Sequence, residues 1–411
     1  MHVLFITQYF TPEVGATQTR IHEFARACVK CGHQVTVLTE FPNHPHGRIP
    51  SEYRGRIATR ETLDGFTVLR VWVWTRPVKT FFTRVAFYGT FFALASLRAL
   101  FMRREIHAVV ATSPPLPVGL IGLLAARTHG ARFVLDVRDL WPAAAEALGE
   151  LRNPTLLRAA AALERLLYRR ADRVTAVTRG FVRHIQRWVS DPSRVVWLPN
   201  GAATDQFDPT RFDPELRRRL GFEGRFVVTF AGNHGIAQGL DAVLDAAEQL
   251  RDRAPVLFCF IGDGPVKASL MDRVTRSSLN NVRFLPTVPV HEIAPYLTAS
   301  DALLVPLRPD PAFETFVPSK LFDFMACERP VILMVDGEAR ELLEASGGGV
   351  WVAPGDVKGL GQAVRGLMDL PPAARRAMGE RGRMWVVKNF TRRAQAEQLV
   401  ALLESLQGAT R

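Results

Sequence analysis

The stretch PNGAATDQFDPTRFDPELRRRLGF, residues 199–222, divides the chain. It is crowded with Pro, Gly, Asp and Asn, residues that punctuate regular structure. The same strand–helix theme runs on either side of it. Upstream, short apolar runs fall at His2–Thr7, Gln34–Leu38, Thr67–Val73, Ala108–Thr112, Phe133–Val137 and Val174–Val177. Helix-like stretches separate them, such as Thr19–Cys31, in which Ile21, Phe24, Ala25 and Cys28 recur at three- and four-residue spacing. Downstream the theme restarts at Phe226–Ala231, Val256–Ile261, Val282–Leu285, Ala302–Val305 and Val331–Val335. Alternation of this kind implies parallel sheets covered by helices. The expected fold is therefore α/β, with two doubly wound Rossmann-like domains facing a cleft and stretch 199–222 as the linker. Ligands should sit at the carboxyl ends of the strands.

Composition agrees with a folded globular protein. Of 411 residues, 47% are hydrophobic and 22% charged, and a chain this long buries ample core without disulfides or metals. Four cysteines are too few for a disulfide scaffold and fit a reducing compartment. Cys28-x-x-Cys31 with His33 has no second cysteine pair and reads as ordinary thiols, not as a zinc site. Met1 runs straight into VLFIT with no basic leader, so a cytoplasmic protein is expected. The apolar stretch near 85–97 is too short to span a bilayer.

The net charge of +12 is unevenly spread. Residues 1–200 carry 27 Lys and Arg against 14 Asp and Glu, whereas residues 201–411 carry 25 against 26. The first half thus calls for an anionic partner. One segment concentrates the feature: Gly65–Arg104 lacks any acid but holds Arg70, Arg76, Lys79, Arg84, Arg98, Arg103 and Arg104. Interleaved aromatics include Phe81, Phe82, Phe91 and Phe101. Such a helix can lie in a membrane interface, with Phe81, Phe82 and Phe91 in the acyl boundary and Arg84 and Arg98 on phosphates; it can equally be a packed helix with a basic edge. No helix-turn-helix or zinc-finger spacing accompanies it, so nucleic acid is not the expected partner.

Several strand ends could carry chemistry. QYFTPEVGATQT (8–19) follows the first strand, and Gly15 would let backbone N–H groups approach a phosphate. It lacks GxGxxG, which disfavours a dinucleotide. AGNHGIAQG (231–239) and IGDGP (261–265), with Gly262, also follow strands; their glycines permit close ligand approach or a tight turn. VLDVRDLWP (134–142) puts Asp136, Arg138 and Asp139 at a strand's carboxyl end. The richest cluster is FETFVPSKLFDFMACERP (313–330). Pro318 and Ser319 can open a helix, Lys320 then stands at its N-terminus, and Asp323 one turn on could accept from ribose hydroxyls. An N-cap with two surface charges is the plain alternative.

Taken in order, YFTPEVGA, CGHQVTVLT, LPNGAATDQFDP, FAGN, IGDGP, NVRFLPTVP, ASDALLVPL and PSKLFDFMACERPVI resemble a family 4 glycosyltransferase of the GT-B fold, over essentially the whole chain. The bacterial fucosaminyl- and colanic-acid-type transferases of surface polysaccharides are the branch most similar. The resemblance implies an acceptor-binding domain over 1–200, a nucleotide-sugar-binding domain over 201–383, and a C-terminal segment 384–411 that crosses back to the first. It implies a nucleotide-sugar donor, expected to be a UDP-sugar, and retention of configuration; no carboxylate–x–carboxylate motif stands out, so no metal or other cofactor is expected. The family's paired glutamates fall on Asp323, the expected ribose ligand, and on Thr315 with Glu314 beside it. The Arg and Lys that usually follow the first strand of the second domain fall on Asn233 and Gln238, leaving Lys320, with Ser319 and Leu321 alongside, to hold the diphosphate. The base would lie against Phe284 and Leu285, before Pro286. The family's His of an HD pair falls on Arg138, next to Asp139; Asp139 or Glu13 would act as acceptor base.

The expected activity is transfer of an N-acetylated amino sugar to a polyprenyl-diphosphate-linked saccharide, on the inner face of an anionic cytoplasmic membrane. A hydrolysing UDP-sugar 2-epimerase shares the fold and is the competing enzyme class. A degenerate nucleotide-binding protein is the non-enzymatic alternative.

Overall fold

The computed structural model describes every residue except Val14, Pro45, His46, 78–80, Leu148, Glu150, Arg152, 252–254 and 409–411, and of Phe81 only the backbone. The chain forms two compact units, Met1–Pro199 with Arg393–Arg411, and Asn200–Arg392.

The first unit holds strands β1 (His2–Ile6), β2 (Gln34–Glu40), β3 (Ala58–Leu63), β4 (Phe66–Val71), β5 (Ala108–Ser113), β6 (Arg132–Val137), β7 (Arg173–Ala176) and β8 (Val195–Trp197). They lie in the order β3-β4-β2-β1-β5-β6-β7-β8. All pairs are parallel except β3 with β4. Strand β3, ATRETL, escapes the sequence reading because it is a polar edge strand with no buried residue. The central strands are buried on both faces, as their unbroken apolar runs require. Helix α1 (Ala16–Lys30) lays Ile21, Phe24, Ala25 and Cys28 on one face. Helix α2 (Phe81–Leu100) packs on α3 (Leu116–His129), which covers β5. There Gly122 lets helix and strand close up: a Cβ on it would stand 2.5 Å from that of Ala111.

The second unit carries β9 (Phe226–Ala231), β10 (Val256–Ile261), β11 (Val282–Leu285), β12 (Ala302–Pro306), β13 (Val331–Met334) and β14 (Gly349–Trp351). Their order is β11-β10-β9-β12-β13-β14, all parallel. Leu240, Val243, Leu244 and Ala247 of one helix, with Leu360, Val364 and Leu367 of another, join its main core. Gly349 opens β14, packed so closely on β13 that a Cβ on it would stand 2.0 Å from Val331 O.

Two boundaries differ from expectation. Stretch 199–222 is not a free linker: Phe207, Leu216 and Phe222 are buried, and Ala202 bridges Thr391 within the second unit. The return to the first unit comes at Arg393 and not at 384. The helix Pro372–Asn389 stays in the second unit because Gly379 and Gly382 let it seat against the carbonyl of Glu328 and against Gly348. The next helix, Arg392–Gly408, instead buries Ala396, Leu399, Val400, Leu403 and Leu406 with Val3, Phe5 and Phe24.

A charge pair knots the first unit. Arg20 donates from Nε and Nη2 to the two oxygens of Asp136 at 3.1 and 3.0 Å, and from Nη2 and Nη1 to the carbonyls of Leu198 and Pro199. Thr175 adds a 2.7 Å bond to Asp136. Burial would push the Asp136 carboxyl up, but Arg20 and Thr175 hold it below the usual range. Removing one partner strands a buried charge, so Arg20→Met should cost about 3–5 kcal/mol. Chemical denaturation followed on the first unit reads this directly; a loss under about 1 kcal/mol would show that Asp136 does not depend on Arg20.

Candidate functional site

In each doubly wound sheet the strand order reverses at one place, between β1 and β5 in the first unit and between β9 and β12 in the second. Loops diverge there, and crevices for ligands open at the carboxyl ends.

In the second unit the loop after β9 meets the loop after β10. Gly232 N donates to Ile261 O at 2.9 Å, His234 N to Asp263 O at 2.8 Å, and Val266 N to His234 O at 3.1 Å. A Cβ on Gly262 would lie 2.1 Å from Gly232 O, and both residues have φ in the left-handed half of the map, +131° and +137°. Only glycine fits. Lys320 reaches this junction from the start of the helix Lys320–Ala326. Its Nζ donates to Ala231 O at 3.1 Å and lies 4.1 Å from the Phe230 ring centre. A Cβ on Gly232 would stand 2.7 Å from that Nζ. Burial among apolar groups pushes the Lys320 ammonium down to about 7.

The remaining expected ligands distribute around this junction. Gln238 Oε1 accepts from Gly235 N at 3.1 Å, which holds the loop's turn, while Asn233 is exposed. Phe284 stacks on Phe260 at 5.0 Å, and the Leu285 carbonyl is 3.4 Å from Lys267 Nζ, which also donates to Gly262 O at 2.6 Å. Ser319 precedes the Lys320 helix with helical backbone angles and makes no side-chain cap; Leu321 points into the core. Thr315 Oγ1 donates to Ala312 O, and the Glu314 side chain is exposed beside a cavity of about 310 Å³ that Arg308, Asp310 and Asp336 also line.

Asp323 has a different setting from the one expected for a free ribose ligand. Its Oδ1 accepts from Ala203 N at 3.2 Å and its Oδ2 from Arg392 Nη2 at 2.5 Å, while Arg392 Nε holds Gly201 O at 3.0 Å. Both oxygens therefore tie residues 201–203 to the helix. Burial raises the Asp323 pKa against the pull of Arg392.

Sequence reading missed three contributors here. His234 is fully buried among Phe230, Phe260 and Phe284, with no hydrogen bond to either ring nitrogen, and is held neutral at a pKa of about 4 by burial and Lys267. Lys267 and Arg308 are the others. The signals were present in AGNHG and in IGDGPVK, but a lone His or Lys near glycine has no diagnostic spacing.

In the first unit Glu13 Oε1 accepts from Asn43 N and His44 N at 2.7 and 2.8 Å, so this carboxylate pins the loop after β2. Gly15 caps α1 in extended backbone, with Gln18 Oε1 where its Cβ would be. Arg138 and Asp139 follow β6. Arg138 Nε and Nη1 are buried with no hydrogen-bond partner, and burial with the charge of Arg20 brings its pKa down to about 10. Burial raises Asp139 to about 6, opposed by Arg138. A buried guanidinium with two nitrogens that find no hydrogen-bond partner among the described residues, beside a carboxyl that titrates near neutrality, is an arrangement found at reactive sites.

Of the expected membrane residues, Phe82 is 81% exposed, and Arg84 and Arg98 are exposed. Phe91 corrects the reading: it is 1% exposed, on the face of α2 that carries Ala95 and Ala99 into the core, and cannot enter a bilayer. The Phe81 side chain lies outside the described residues, as does Lys79. Among the described residues no helix is long and apolar enough to cross a membrane.

Asp323→Ala should lower thermal stability as well as any nucleotide affinity, because it frees Arg392 and Ala203 N together. Removing one partner of a buried pair costs about 3–5 kcal/mol. A melting temperature unchanged by the substitution would contradict the tie.

Comparison with known proteins converges on one group. Residues 15–201 match a family model described as glycosyl transferase 4-like domain, and residues 225–369 match glycosyl transferases group 1. The putative colanic acid biosynthesis glycosyl transferase WcaI of Escherichia coli K12 is 26% identical over 384 residues, covering 90% of this chain and 93% of its own. A GDP-mannose-dependent phosphatidylinositol monomannoside mannosyltransferase of Mycolicibacterium smegmatis is 25% identical, covering 98% of each. HepE from Anabaena, solved with UDP-glucose, superimposes with a TM-score of 0.73 at 17% identity, over 98% of this chain and 100% of its own.

Proposed function

The chain belongs to the family 4, group 1 glycosyltransferases, and from that premise we propose that it moves a sugar from a UDP-sugar to a lipid-linked saccharide in the synthesis of surface polysaccharide. The sugar is an N-acetylated amino sugar, the acceptor a polyprenyl diphosphate, and the configuration is retained. The glycosyl transferase WcaI, named for colanic acid, supports the pathway class, and the UDP-glucose complex of HepE supports the donor class. The mannosyltransferase that uses GDP-mannose favours a second reading, a GDP-sugar donor.

One observation carries the proposal: Lys320 is held at the contact between Gly232 and Gly262, at the switch point of the second sheet. A nucleoside diphosphate placed there meets loop amides and an ammonium that has no carboxylate partner among the described residues. As the glycosidic bond breaks, charge grows on the departing phosphate, and each preorganised donor aimed at it is worth about 3 kcal/mol. Asp139, near pKa 6, serves as acceptor base in preference to Glu13, whose Oε1 is committed to two amides. Arg138 offers its buried N–H groups to an anionic part of the substrate. We assign no divalent metal to the reaction.

A thermal-shift panel of UDP, GDP, ADP and CMP, with and without Mg²⁺, tests the donor. A nucleotide at 100 times its dissociation constant should stabilise by about 2.7 kcal/mol. Stabilisation by UDP without metal, lost in Lys320→Ala, is expected; selective stabilisation by GDP would move the reading to the second donor class, and no response to any nucleotide would overturn it.

The two perturbed groups also set a pH dependence. Asp139 must lose its proton to act as base, so kcat/KM rises through about 6. Lys320 must keep its proton to hold the diphosphate, so kcat/KM falls above about 7. The free-enzyme profile should be a narrow bell. Asp139→Asn should cost about 10²–10⁴-fold and abolish the acid limb; Lys320→Arg should move the alkaline limb upward. A profile flat from pH 6 to 9 (the range to be scanned is roughly that of general acid–base groups) would contradict both roles.

A further inference from the structure

Where α2 runs out, its last turn and the residues after it close a small cavity against β2, β3 and β4. The cavity is about 270 Å³ and is lined by Thr36, Thr67 and Leu69 with Arg60, Arg98, Arg103, Arg104 and Phe101. Four arginines thus line it from two directions, one from the edge strand and three from the helix end. Of the acids nearby, Glu61 pairs with Arg70 at 2.9 Å, and Glu105, 86% exposed, stands 4.0 Å from His107. None of the four arginines forms an ion pair among the described residues. Four like charges around one cavity repel unless an anion sits among them.

What lies beside the cavity identifies the anion's carrier. Phe101, part of its wall, is 74% exposed, and Leu97 one turn earlier is 54% exposed. The stripe continues back along α2 through Ala93, Gly89, Val85 and Phe82, three or four residues apart and all exposed, on the face opposite Phe91, Ala95 and Ala99. Along the same helix, Thr90, Ala93 and Leu94 border a largely apolar groove of about 710 Å³ that Ile49, Tyr53, Ile57 and Trp72 line together with Arg54 and Arg56. A soluble phosphate has no use for exposed phenylalanines, and a nucleic acid strand would want them stacked within its groove, not ranged as an aliphatic and aromatic ridge. A bilayer interface satisfies both features at once, with phosphates at the arginines and acyl chains at the ridge.

We propose that the Arg60–Arg98–Arg103–Arg104 cavity is a discrete binding site for the phosphate headgroup of an anionic phospholipid, separate from the site at Lys320, and that it anchors the first unit to the membrane through α2. The inference rests on the lipid-linked acceptor of the proposed function, which places the enzyme at a membrane, and gives that association a specific seat. The phosphate oxygens accept from guanidinium N–H groups, and Phe101 and Leu97 enter the acyl region beside it.

The test is flotation of the full chain with vesicles of phosphatidylcholine, alone or doped with phosphatidylglycerol. Wild type should float with the doped vesicles only. Arg103→Gln/Arg104→Gln should weaken that binding at least about tenfold, since each basic residue near an anionic surface contributes roughly a factor of five; Phe101→Ser should weaken it about as much by removing the apolar ring buried in the acyl region. The charge-matched control Arg158→Gln/Arg183→Gln, at exposed positions on other helices of the first unit, should bind as wild type. Circular dichroism melts would keep all variants comparable in fold. If wild type does not float at all, the membrane reading itself falls and the site with it. If wild type floats and both arginine pairs behave alike, membrane association stands on net charge and the discrete site is overturned. Competition by millimolar-range inorganic phosphate or by polyuridylate that displaces the protein from vesicles equally well would likewise overturn the assignment to lipid.

Discussion

The second unit is organised around a backbone contact that side chains would forbid. Gly262 stands so close to the Gly232 carbonyl that any Cβ would overlap it, and both glycines take left-handed φ values. Because the loops after β9 and β10 touch there, Lys320 can reach the end of β9 and bond the Ala231 carbonyl. Its apolar surroundings bring it close to neutrality. A lysine this poorly solvated gains more from an incoming anion than a surface lysine would, since the anion replaces solvation that the fold has already removed. The glycines, the aromatic floor of Phe230, Phe260 and Phe284, and the neutral His234 are parts of one arrangement that keeps an ammonium available without a counter-charge.

The first unit solves a related problem in the opposite way. Asp136 lies at the same strand end as Arg138 and Asp139 but is saturated by Arg20 and Thr175. Two residues on, Arg138 Nε and Nη1 are buried with no hydrogen-bond partner among the described residues, and burial raises Asp139 to about 6. One strand end therefore carries a charge spent on folding and, beside it, the pair to which the proposed function assigns the chemistry. Asp323 resembles Asp136 more than Asp139, since both of its oxygens serve to tie chain segments together.

What could be read in the sequence was whatever repeats or stays local. The parallel strands announce themselves because burial on both faces demands unbroken apolar runs, and Lys320 and Asp323 fall within one short helix. Edge strand β3 gave no such signal, because its polar side chains face solvent. The three-residue strands β8 and β14 are too short to show a pattern. Arg20 and Asp136 are 116 residues apart, so their pairing is invisible without the fold. Phe91 was misread because interleaved Phe and Arg do not say which face of α2 meets α3, and the choice depends on a neighbour distant in the chain. The role of Asp323 was likewise hidden in Arg392, far along the sequence.

The central claim is that an unpaired lysine near neutrality receives the donor's diphosphate. The chain has six lysines, few enough to follow individually by NMR of ¹³C-labelled Cε positions. We expect one lysine, assigned through Lys320→Arg, to titrate at about 7, and UDP to move that titration upward by at least about one unit as the phosphate oxygens stabilise the ammonium. Six lysines all titrating at about 10.4, or a low-titrating Lys320 indifferent to nucleotide, would contradict it.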